Sequence, residues 1–87
     1  MTTRILHLLQ CPGCKGAPTL YAIRFTRYGT QYAIGCKDKH CGVSTTFIPS
    51  KTIDEMVDRW NSGIGLVRSG IPYGQVPGQM VAVEVVV

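Results

Sequence analysis

Four cysteines in two tight turns constrain this chain more than any other feature. They stand as Cys11-Pro-Gly-Cys14 and, 21 residues later, as Cys36-Lys-Asp-Lys-His-Cys41. A turn with two or four intervening residues can aim two thiolates at one point, and tetrahedral zinc takes four such donors at about 2.3 Å. A hairpin between the turns would bring the pairs together. The spacing therefore predicts a zinc ribbon in which Cys11, Cys14, Cys36 and Cys41 hold one structural Zn2+. Four sulfurs leave no open position for a catalytic water. Gly13, Gly16 and Gly42 suit these turns, where φ can be positive and backbone N–H groups approach sulfur. The length of 87 residues makes such a staple valuable. A chain of that size buries only about 60–65% of its unfolded surface, and small folds usually add a metal, disulfides or a partner.

Other uses of the cysteines rank behind this one. A dithiol redox motif places its first cysteine at a helix N-terminus, whereas Pro18 and a β-rich run follow here. A disulfide framework belongs to oxidising compartments. The apolar stretch after Met1 is short for a signal peptide and has no small-residue cleavage site, so a cytoplasmic protein is expected. Iron suits the same soft donors and stays open as an alternative metal. His40 could replace a cysteine as ligand but is expected to be an exposed loop residue. His7, between leucines, is expected at the edge of the core.

Around the cysteines the pattern is that of a small α+β metal-bound domain. Residues 17–27 and 30–36 read as a β-hairpin about Tyr28-Gly29. Tyr21, Ile23 and Phe25 are expected on one face with Tyr32 and Ile34, and Arg24 and Thr26 on the other. Residues 43–48 read as a further strand. Beyond Pro49 and Ser50, Thr52-Ile-Asp-Glu55 has capping-box spacing, and Asp54 and Glu55 suit the positive end of a helix dipole. Ile53, Met56, Val57 and Trp60 form one helical stripe, with Trp60 expected to close the helix onto the ribbon. Asn61-Ser62-Gly63 ends the helix. Residues 1–62 thus form the expected ribbon domain with its short helix. Residues 63–87 form an extension, a Gly/Pro-rich loop over 63–79 and a strand over 80–87. No run approaches the roughly 20 apolar residues of a membrane-spanning helix.

Charge and motifs narrow the function. The net charge is +4, with +6 on residues 1–51 and −2 on the rest; a divalent ion on four thiolates would lower the total to +2. Such a modest charge does not by itself make a nucleic-acid binder. There is no phosphate-binding glycine loop, His-Glu-x-x-His or Gly-x-Ser-x-Gly, so an enzyme is not expected. A nucleic-acid reading rests on Arg24, Arg27, Lys37 and Lys39 beside Tyr21, Tyr28 and Tyr32, which could meet phosphates and stack on bases. Sheet packing is the competing use of those tyrosines. A protein-binding reading rests on the tail, with Tyr73, Met80, Val81, Val83 and Val85 as its surface. An eight-residue strand with one charge must pair with something. The candidates are an edge of the ribbon's own sheet, the same strand of a second chain in a homodimer, or a sheet edge on a target.

Cys11-Pro-x-Cys14-x-Gly16, a Tyr-rich hairpin, Cys36-x4-Cys41-Gly42, a short acidic helix and Trp60-Asn61 together resemble the Lar restriction-alleviation family. The resemblance covers residues 5–61. It implies a zinc ribbon of phage or prophage origin that works in the host cytoplasm. Its implied activity is non-enzymatic modulation of a host protein, type I restriction in the founding case. The family commonly has an aromatic residue between the first two cysteines and glycine after the second, where Gly13 and Lys15 stand here. It also commonly has Arg where Gly63 stands. The tail has no counterpart in that pattern.

Overall fold

Two antiparallel sheets and a helix close over one apolar core. The computed structural model describes residues 2–27, 29–38, 40–46, 52–76 and 78–86, apart from the side chains of Phe25 and Thr26. Strand β1 (Thr3–Leu9) pairs with β7 (Met80–Val86). A five-stranded sheet runs in the order β2 (Pro18–Thr26), β3 (Gly29–Cys36), β4 (Ser44–Thr45), β5 (Leu66–Arg68), β6 (Ile71–Pro72). Helix α1 (Ile53–Ser62) lies on β1, β3 and β4. The fold is thus the expected small α+β arrangement, and among the described residues no helix is long and apolar enough to cross a membrane.

The period of two along β1 buries Leu6 and Leu8 and turns Thr3, Ile5 and His7 outward. His7 is therefore exposed, not at the core edge: it shares the outer face with Ile5 because both stand at odd positions. Helix α1 forms as its signals require. The Thr52 hydroxyl accepts the Glu55 N–H at 3.2 Å, and Gly63 closes the C-terminus in the left-handed region at φ 78°. Met56 and Trp60 are fully buried, and Ile53 and Val57 flank them. They meet Leu8, Ile34, Val43, Leu66 and Val85 in the core.

The hairpin faces differ from expectation. Leu20 stands opposite Ile34, Ala22 opposite Tyr32, Tyr21 opposite Ala33 and Ile23 opposite Gln31. Tyr21 and Ile23 thus lie on the face away from Tyr32 and Ile34, and each is 42% exposed. An irregularity between Ile23 and Thr26 shifts the register by an odd number of residues, which exchanges the faces. Phe25 and Thr26 side chains, and Tyr28 in the turn, lie outside what is described.

Two further expectations change beyond the hairpin. The strand expected over 43–48 is the short β4, with 47–51 outside the described residues. Nor are residues 63–79 simply a loop. Ser69 and Gly70, at φ 52° and 80°, make the tight turn between β5 and β6, whose mirror-image backbone suits hairpin twist. β5 in turn pairs with β4, so part of the tail completes the five-stranded sheet. The terminal strand folds back within its own chain, but onto β1 and not onto that sheet. Its odd-numbered valines face inward: Val85 is buried and Val81 and Val83 are half-buried.

Candidate metal centre

Both cysteine turns are built by backbone hydrogen bonds. In the first, Lys15 N–H donates to Cys11 O at 2.8 Å and Cys11 N–H to Gly16 O at 3.0 Å. In the second, Cys36 N–H donates to Val43 O at 2.8 Å and Cys41 N–H to Asp38 O at 3.1 Å. Asp38 Oδ1 also accepts the His40 N–H at 2.9 Å, bracing the longer turn. Pro18 pairs with Cys36 at the base of the hairpin, and this pairing sets the two turns side by side.

The four sulfurs converge within 4.8 Å of one another and could hold one metal ion. Cys11 Sγ lies 3.4 Å from Cys41 Sγ, and Cys14 Sγ lies 3.2 Å from Cys36 Sγ. All four cysteines are free, so no disulfide framework is formed. Cys11, Cys36 and Cys41 are buried while Cys14 is exposed. A β-strand rather than a helix follows the first turn, contrary to what a dithiol redox motif requires. His40 is exposed and stands outside the cluster.

Backbone N–H groups act on all four sulfurs. Gly16 N–H donates to Cys14 Sγ at 3.4 Å, and backbone N–H groups of Cys14 and Gly13 favour the Cys11 thiolate, that of Asp38 the Cys36 thiolate and that of Val43 the Cys41 thiolate. N–H dipoles aimed at sulfur favour the thiolate, the form that binds a metal. Burial works against them. It raises the Cys11 and Cys36 thiols above their ordinary value, as the nearby sulfurs also do for Cys36. At Cys41 burial also pushes upward, but the Val43 N–H and hydrogen bonds from the other three cysteines outweigh it and lower that thiol.

Glycine serves the first turn through size. Gly13 and Gly16 do not have positive φ; a Cβ on Gly13 would stand 2.8 Å from Cys41 Sγ and 3.2 Å from Val43 Cγ2. The left-handed position is Lys15, at φ 61°. Gly42, at φ 73°, has the conformation expected of it.

No family model, curated protein or solved structure matches the chain. Its chemistry is read from its own residues.

Among the described residues, the basic side chains singled out by sequence do not gather into one patch. Arg24 and Arg27 are exposed toward the Thr26–Gly29 end of the hairpin and Lys37 at the Cys36 end, roughly 25 Å of strand apart. Lys39 and Tyr28 lie outside the described residues. Tyr32 packs against the core, and the Tyr21 hydroxyl donates to Cys36 O at 2.9 Å beside the sulfur cluster. Within the tail, Met80 is exposed, Val81, Val83 and Tyr73 are half-buried, and Val85 is 7% exposed. Val85 thus belongs to the core and is withdrawn from the expected partner surface.

Sequence reasoning passed over Asp38 and Lys15 in the turns and the second task of Asn61. The signal for Asp38 was its place inside the Cys36–Cys41 turn, where its carbonyl accepts the Cys41 N–H.

Proposed function

We infer that the protein is a zinc-ribbon accessory factor of Lar type, encoded by a phage, in which one Zn2+ on Cys11, Cys14, Cys36 and Cys41 maintains a surface that binds and modulates a host protein. The carrying observation is the four-sulfur cage, its Sγ atoms all within 4.8 Å of one another. Tetrahedral zinc with sulfur at about 2.3 Å has S···S edges of about 3.8 Å, close to the separations present. Four sulfurs saturate the ion, so its task is structural and the activity resides in binding. Trp60 and Asn61, which the resemblance singles out, both grip the end of β1. A type I restriction system in the host cytoplasm is the first partner to test.

The test expresses the chain in a restricting bacterial host and measures plating of unmodified phage against a non-restricting strain. Restored plating that Cys14→Ser abolishes supports the reading; unchanged plating with a metal-loaded, soluble chain defeats the restriction assignment. Elemental analysis tests the metal separately. One zinc per chain is expected, retained in His40→Ala and lost in Cys14→Ser. Iron in the purified chain would overturn zinc, and full zinc retention in Cys14→Ser would overturn the four-thiolate site.

A further inference from the structure

We propose that β7 pairs antiparallel with β7 of a second copy of this chain, about a two-fold axis through Val83, to make a continuous four-stranded sheet. The starting point is the direction of the peptide groups. On β1 the groups of His7 and Leu9 point to the helix side, where they bond Trp60 and Asn61. Gln10, of opposite parity, donates to Gln79 O at 3.1 Å on the β7 side. N–H and C=O of one residue point the same way in a strand. In the observed register, Leu6 opposite Val83 and Leu8 opposite Val81, the odd residues of β7 therefore bond β1. The N–H and C=O groups of Met80, Ala82, Glu84 and Val86 point away from β1. Among the described residues no strand pairs with them.

Parity and charge then choose the register for a second copy. Antiparallel pairing through the even residues must place even opposite even. Centring on Glu84 sets two carboxylates face to face, which is destabilising. Centring on Ala82 leaves Val85 and Val86 without partners in β7. Centring on Val83 uses all seven residues. Glu84 then faces Ala82, and Met80 faces Val86; these last two are exposed by 48% and 60% in one chain. On the inner face Val81 meets Val85, and Val83 meets its own copy, which covers the half-buried Val81 and Val83. A strand this apolar with an open edge is a hazard unless paired, and its own sequence is the complement that avoids a like-charge contact.

Sedimentation of the zinc-loaded chain tests this, with two variants. Wild type should be a dimer. Ala82→Pro removes an N–H from the open edge and none from the β1 ladder, so it should keep one zinc per chain while weakening the dimer roughly 10- to 50-fold, through loss of two symmetric hydrogen bonds. Val83→Cys should give a covalent dimer on mild oxidation, because the two Val83 positions form a closely spaced non-hydrogen-bonded pair. A monomeric wild type overturns the proposal and leaves the edge to a strand of another protein. A dimer that Ala82→Pro does not weaken and Val83→Cys does not cross-link also overturns it, since its interface then lies elsewhere.

Discussion

Asn61 treats Leu9 as a neighbouring strand would. Its Oδ1 accepts the Leu9 N–H at 2.9 Å, and its Nδ2 donates to His7 O at 3.1 Å, so one side-chain amide stands in for a peptide along the edge of β1. Trp60 adds Nε1–H to Leu9 O at 2.8 Å. The two adjacent residues at the end of the helix thus satisfy the His7–Leu9 end of the β1 edge that β7 does not reach. Asn61→Ala should cost about 1–3 kcal/mol, because the partly buried Leu9 N–H loses its acceptor while the exposed His7 carbonyl turns to water. Hydrogen exchange checks the cause: the Leu9 amide should exchange much faster in the variant. An unchanged Leu9 rate would mean the clamp contributes nothing.

Trp60 combines complete burial with that hydrogen bond, and two variants separate the contributions. Trp60→Phe keeps most of the packing and strips Leu9 O of its donor, an expected loss of about 1–3 kcal/mol. Trp60→Ala adds a cavity and should lose about 3–5 kcal/mol, a large part of what a domain this small possesses. Denaturant titrations of the zinc-loaded proteins followed by circular dichroism give both values. Equal losses would show that the indole N–H, not the ring volume, dominates.

The first cysteine turn offers a pair of opposite outcomes. Lys15 holds φ 61° with a side chain, a conformation costing about 1–2 kcal/mol outside glycine. Lys15→Gly removes that cost and adds about 0.5–1 kcal/mol of unfolded-state entropy, for a net gain of up to about 1 kcal/mol. Gly13→Ala would drive its methyl toward Cys41 Sγ and Val43. It should weaken zinc binding, measured by competition with a chromophoric chelator. A Gly13→Ala chain with unaltered affinity would show that the turn yields.

A metal ion on these four sulfurs would compete with protons for them. Burial raises the Cys11 and Cys36 thiols, so both enter the metal-free site protonated near neutral pH and zinc must displace their protons. Calorimetric titration in buffers of different ionisation heat should record this release, and zinc affinity should fall as pH falls. The metal-free chain has the opposite sign. A thiol raised in the folded state contributes stability that is complete below the ordinary thiol range and is lost as pH rises through the raised value. The lowered Cys41 opposes this in part. Melting curves with chelator should therefore decline on the alkaline side, and those with zinc on the acid side. Identical profiles would mean the cysteines do not govern stability.

Some of this protein was determined by short-range order alone. Two cysteines a few residues apart can aim at one point through a single turn, and Thr52, the Ile53–Met56–Val57–Trp60 stripe and Gly63 specify a helix through contacts no more than four residues long. The tertiary structure decided the rest. Faces of the hairpin depend on parity, and one irregularity near Ile23 exchanged them. Strand β7 had several possible partners by composition, and it took β1 because burying Leu6, Leu8 and Val85 together under α1 joins residues close to 80 positions apart. Ser69-Gly70 was a visible turn signal, but its flanking strands are too short to be read without β4 beside them. Lys15 adopts a left-handed backbone because convergence of the cysteine turns over-determines it, a constraint that no local preference of lysine contains.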